Sequence, residues 1–222
     1  MIAFHGDPKI KEKYLARVRA HRAADHLVKG TGWENGKGCA IGCTLEAYEH
    51  SRYETELGIP TVLAKLEDRI FESLPSEDAM EWPERFLSAA PVGADLSRAW
   101  SRFAAWMLRE CLALTNDEKV RGVLDLVAYL YETGAPSADL RWEEARYAAF
   151  AAYAAAGATA YTFTKAAAYA AAVKAAAYGA YADADAYAVK AANAAANAAY
   201  AGHFWKAAAE QLLTILSTAE RK

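Results

Sequence analysis

Apolar positions recur at helical spacing through most of the first 140 residues. Ile10, Tyr14, Leu15, Val18, Ala24 and Leu27 keep the 3.6-residue period with basic residues opposite, which predicts a helix from Asp7-Pro8 to about Lys29. Asp7 is a suitable N-cap, Pro8 a first helical residue that needs no N–H, and Gly30 a stop. The next stretch, Gly30 to Thr44, holds five glycines in fifteen residues and reads as a loop or a pair of tight turns. Val62, Leu63, Leu66, Ile70, Phe71 and Leu74 then mark a helix that Pro60 opens and Pro75 stops. Trp82-Pro83 predicts a short helix to Ala89. Asp95 caps a longer one with Leu96, Trp100, Phe103, Met107 and Leu108 on its buried stripe, and Asn116-Asp117 opens another that runs to Tyr131.

After Leu140 the pattern changes. Between Ala145 and Ala201 more than half the residues are alanine, interrupted mainly by tyrosines. A single helix from Leu140 to Ser217 would be about 115 Å long at 1.5 Å per residue, a rod that buries little. Gly157, Gly179 and Gly202 offer stops, so the reading is four folded-back helices near 140–156, 159–178, 180–201 and 203–219. The expected fold is an all-α multi-helix bundle with a glycine-rich loop near the N-terminus. Residues 1–137 form the helical N-terminal region, and 138–222 an Ala/Tyr-rich array packed on it as one continuous domain.

Composition narrows the function classes. The hydrophobic fraction is 55%, yet mean hydropathy is −0.09, because much of that fraction is alanine and tyrosine. A net charge of −3 from 25 basic and 28 acidic residues argues against a nucleic-acid polymer as partner. The N-terminal stretch MIAFHGDPKIKEKY has no apolar signal-peptide core. Charged residues interrupt every long apolar run, so no membrane span is expected. Three cysteines do not make a disulfide framework, and the chain reads as cytoplasmic. Charge is also polarised: residues 8–37 carry a local net of +5 and residues 44–95 a local net of −8. Solvated helix faces that pair with each other account for this, and so does a surface that steers an anion.

Three constellations could carry chemistry. Glycines let backbone N–H groups converge on an anion, and Lys37 and Thr44 could add a charge and a hydroxyl to the Gly30–Thr44 segment. Its spacing matches no dinucleotide or nucleoside-triphosphate loop. On the first helix, Arg17, Arg22 and His26 fall close to one face with His21. Guanidinium forks match phosphate oxygens, and His21 and His26 are the acid–base candidates if the protein is an enzyme. In the array, Lys190, Asn193 and Asn197 recur at three and four residues, flanked by Tyr187 and Tyr200. Two amides on one face of an alanine helix are unexplained by propensity and suit recognition of a base or ring. Cys39 and Cys43 lie near histidines in sequence, but a three-residue spacer is no common zinc knuckle, so neither metal nor cofactor is expected.

The segments HRAADHLVKGTGWENGKGCAIGCTLEAYEH, YETELGIPTVLAKLEDRIFESLP and PVGADLSRAW resemble a family of uncharacterised proteins of bacteria and their phages. The Ala/Tyr array from Trp142 onward is similar to helical repeats in those proteins, and also to a predicted all-α class of immunity proteins that accompany polymorphic toxins. The resemblance implies a setting of phage–host or bacterial conflict. In that setting the expected function is non-enzymatic capture of a small anionic or nucleotide-like signal, by a homo-oligomer whose chains together enclose the ligand. Neutralisation of a protein toxin is the first alternative, and a nucleotide phosphodiesterase the second.

Overall fold

A computed structural model of the chain describes residues 1–113, 116–136, 138–155 and 201–221. The described residues are predominantly helical, in keeping with the all-α expectation, and their strands amount to one two-stranded hairpin. By contacts the chain forms two compact units: Met1–Trp100 with Trp205–Lys222, and Ser101–Phe204.

In the first unit, α1 (Pro8–Ala23) opens where the sequence places it, with the Asp7 carboxylate accepting from the Lys9 N–H at 2.8 Å. It stops six residues earlier than the apolar period suggests. Asp25 takes a left-handed backbone (φ 54°), and the chain turns so that Leu27 pairs with Gly38. The hairpin β1 (Trp33–Glu34) and β2 (Lys37–Gly38) follows, then α2 (Ala40–Leu45), every residue of which is buried. A π-helical turn over Tyr53–Leu57 leads to α3 (Thr61–Ser73). Leu63, Ala64, Leu66, Ile70 and Phe71 bury the predicted stripe of α3, and Glu67 and Asp68 go inside with them.

The helix expected to begin at Trp82-Pro83 begins at Ser76 instead, as α4 (Ser76–Ala89), with Pro83 in its interior. An interior proline removes one helical hydrogen bond and ordinarily breaks the helix. Here Ala79, Trp82, Pro83, Phe86 and Leu87 form one buried face, and that packing holds the helix across it. Residues Met1–Ala3 lie alongside Gly93–Leu96, with Ala3 N–H bonded to Ala94 O at 2.8 Å and Asp95 N–H to Glu220 O at 2.7 Å. The last helix, α8 (Ala201–Ser217), belongs to this unit from Trp205 onward and buries Ala208, Leu212, Ile215 and Leu216. Gly202 lies inside α8 rather than before it.

The second unit contains most of α5 (Ala99–Leu112), with α6 (Glu118–Thr133) and α7 (Arg141–Ala155). Asp95 forms a turn by accepting from Ser97 N–H at 3.0 Å, and α5 starts four residues after it. Asp117 caps α6 through Lys119 and Val120 N–H groups, and Gly134 closes it in the left-handed conformation. Helices α6 and α7 pack together, with the Tyr131 and Trp142 rings edge to face at 5.1 Å, and Leu124, Val127, Ala145 and Ala149 are buried on them. Alanines four apart on α7 let α6 approach closely. The first and last helices predicted for the array correspond to α7 and α8. The two between them, with Gly157, Gly179, Lys190, Asn193 and Asn197, lie outside the described residues.

Candidate functional site

The glycine-rich segment is a folded knot rather than an open cradle. Asn35 and Gly36 both take positive φ (50° and 77°), which makes the two-residue hairpin turn whose twist matches its strands. Trp33 pairs with Gly38 and Glu34 with Lys37. Gly38 N–H then donates to His26 O at 3.0 Å, Cys39 N–H to Thr31 O at 2.7 Å, and Gly30 N–H to the Glu72 carboxylate. A Cβ on Gly38 or Gly42 would sit 2.3 or 1.9 Å from the Gly32 carbonyl oxygen, and one on Gly32 would meet the Tyr48 ring at 2.6 Å. These glycines serve close packing, and the N–H groups of Gly30 and Gly38 are taken up by the chain itself. Thr44 cannot serve an anion either: it is fully buried, and its hydroxyl donates to Ala40 O at 2.8 Å. Lys37 stays exposed on the hairpin.

The cationic face of α1 divides in two. Arg22 turns to α4 and pairs with Glu81 (2.8 Å) and Glu84 (3.3 Å). Arg17 turns to α2, where its guanidinium donates to Thr44 O at 3.0 Å and lies 3.6 Å from Glu46. Glu46, itself in the left-handed conformation (φ 55°), also lies 3.5 Å from His21 Nε2. The Nδ1 atoms of His21 and His26 are 3.3 Å apart, so one ring donates to the other. The Trp33 indole stands edge to face against His21 at 5.4 Å. Arg17, His21, His26, Trp33 and Glu46 therefore form one half-exposed group at the junction of α1, the hairpin and α2. Of the residues expected to hold an anion, Arg17 and His26 join it, and Arg22 does not.

A second polar group gathers on Asp68, which is only 8% exposed. The Tyr48 hydroxyl donates to Asp68 Oδ2 at 3.1 Å, and His50 Nε2 lies 3.2 Å from the same oxygen. Burial first, and then the charge of Asp68, pushes the Cys39 thiol and the Tyr48 phenol well above their usual ranges. Burial likewise raises the Cys43 thiol to about 11, with its sulfur 3.4 Å from Gly38 O. Cysteine attacks as the thiolate, and the order here sets Asp68 next to both Cys39 and His50 in place of a direct thiol–imidazole contact. Among the described residues, no three His, Cys, Asp or Glu side chains converge as metal ligands.

Sequence reasoning missed Trp33, Glu46, Tyr48 and Asp68. Asn35-Gly36 was a signal for the hairpin that carries Trp33, and Glu67 sits on the apolar register of α3, four after Leu63 and three before Ile70. Comparison with protein-family models, with curated proteins and with solved structures gave no match. Among the described residues no helix is long and apolar enough to cross a membrane.

Proposed function

We propose that this chain is a binding protein that captures a small anionic or nucleotide-like ligand, and that the ligand seats on the α1–hairpin junction. The observation that carries the reading is the grouping of His21, His26 and Trp33 beside Arg17. An indole supplies a face for a ring, imidazoles supply edge hydrogen bonds, and a guanidinium held by Glu46 supplies charge without searching for its geometry. Lys37 lies on the hairpin strand next to Trp33. The setting of phage–host or bacterial conflict rests on the sequence resemblance. Calorimetry with cyclic nucleotides and ADP-ribose nucleotides tests the binding: heat from at least one, lost in His26→Ala and Trp33→Ala, is expected. No heat from any of them would remove the reading. The same titrations followed by chromatography test the phosphodiesterase alternative, which requires the nucleotide to be cleaved. Light scattering tests the expected homo-oligomer.

A toxin-neutralising immunity protein is the second reading. Leu140 (74% exposed) and Tyr147 (64% exposed), with Tyr129 on the neighbouring α6, favour it, because large side chains left to solvent suit a protein partner. It predicts a one-to-one protein complex and indifference to nucleotides.

A further inference from the structure

Tyr53, Glu67 and Asp68 bring together four buried oxygen atoms that have no hydrogen-bond partner: the Tyr53 hydroxyl, both carboxyl oxygens of Glu67, and Asp68 Oδ1. Tyr53 and Glu67 are fully buried. Helix α3 carries the two carboxyl groups, and the π-helical turn brings the Tyr53 hydroxyl beside Glu67 and Thr44. A buried oxygen left without a partner costs about 1–3 kcal/mol, and native proteins leave few of them. Four of them on three residues of two elements in contact point to an occupant.

The surroundings define what that occupant is. Of the donors around them, the Trp82 indole N–H bonds Glu67's backbone carbonyl at 3.0 Å, Thr44 bonds Ala40, Tyr48 and His50 take the other Asp68 oxygen, and the Cys39 thiol, a weak donor, lies beside Asp68. Arg69, the next residue along α3, lies over the Trp205 ring. Buried carboxylates are ordinarily paired or bound to a cation. All four unpartnered atoms are oxygens, the donor type of hard cations rather than of zinc or copper.

We propose that Tyr53, Glu67 and Asp68 form an internal site for one hard, oxygen-coordinated cation of the sodium, potassium, magnesium or calcium type. The two carboxyl groups supply the charge and the phenol a neutral oxygen, and the ion ties the π-helical turn to α3.

The test uses the full chain, freed of ions over a chelating resin and exchanged into choline chloride. Sodium, potassium, magnesium and calcium chlorides are added singly at constant ionic strength, and thermal unfolding is followed. One of the four should raise the melting temperature saturably, and the ion that does so tells monovalent from divalent occupancy. Glu67→Gln should lose the shift, and Tyr53→Phe should need a higher concentration of the same ion. Should Glu67→Gln fail to fold, Tyr53→Phe alone decides. No shift with any ion, or variants that respond as the parent does, would overturn the site.

Discussion

The Gly32 carbonyl oxygen occupies the place where a side chain on Gly42 would begin, 1.9 Å from an ideal Cβ. The same oxygen lies 2.3 Å from a Cβ on Gly38, so one peptide group closes both positions. The obstacle is backbone, and a rotamer change cannot move it away. Gly42→Ala and Gly38→Ala should each destabilise the protein by about 1–3 kcal/mol, the range for overpacking a filled interior. Denaturant unfolding of each variant checks this. An unchanged midpoint would mean that the loop stands away from α2.

Gly122 is the opposite case. It lies in the interior of α6, exposed, with nothing within 4 Å of an added Cβ and no positive φ. It lines a surface cleft with Leu112, Arg121 and Asp125, where a methyl group meets open space. Glycine in a helix interior is less favourable than alanine by about 0.5–1 kcal/mol. Gly122→Ala should therefore raise stability by that amount, read as a higher melting temperature with unchanged circular dichroism.

These three glycines show what the sequence made legible and what it did not. The apolar period of α3 located that helix to within a residue of its ends, because stripe, Pro60 and Pro75 agree. The same reasoning started α4 six residues late, since an interior proline is a local rule that the burial of Trp82, Pro83 and Phe86 overrides. Five glycines in the 30–44 segment suggested an anion cradle. The use of Gly38 and Gly42 in backbone-to-backbone packing depends on Gly32 folding onto them, a contact with no local signature. The Asp68 group is harder still. Tyr48, His50 and Asp68 lie up to 20 residues apart on different elements, and only the register of Glu67 on a buried stripe hinted that carboxyl groups enter the core of α3.

Acid and alkali should act through one contact between α1 and the π-helical turn. The Tyr14 hydroxyl donates to Glu56, which Arg52 also holds at 2.5 Å. Burial works against the Glu56 charge, but the bonds from Tyr14 and Arg52 outweigh it and keep the carboxyl below its usual value. Its contribution to stability is present above the ordinary carboxyl pKa and is lost as pH falls through the depressed folded one. Tyr14 is pushed up to about 12, by burial first and then by the bond to Glu56. The folded state thus holds the phenolic proton longer than the unfolded chain does. That contribution is full below the ordinary tyrosine pKa and disappears as pH rises from there through about 12. Tyr14→Phe should flatten both limbs of a stability–pH profile measured by urea unfolding. A profile parallel to that of the parent would show that the hydroxyl is not coupled to Glu56.

Arg22 and Trp33 separate ion pairing from ligand recognition. Both lie in the segment that the charge pattern marks as basic, yet Arg22 is directed to Glu81 and Glu84 on α4, while Trp33 stands against His21. An exposed ion pair contributes about 0–1 kcal/mol, so Arg22→Ala should lower stability by no more than that and leave nucleotide affinity unchanged. Stacking of a base on an aromatic ring contributes about 1–3 kcal/mol, which corresponds to roughly a 5- to 150-fold change in Kd at 1.4 kcal/mol per tenfold. Trp33→Leu should weaken ligand binding within that range. Calorimetry on the two variants side by side measures both effects. Equal losses in the two would mean that the ligand binds through diffuse positive charge and not at the α1–hairpin junction.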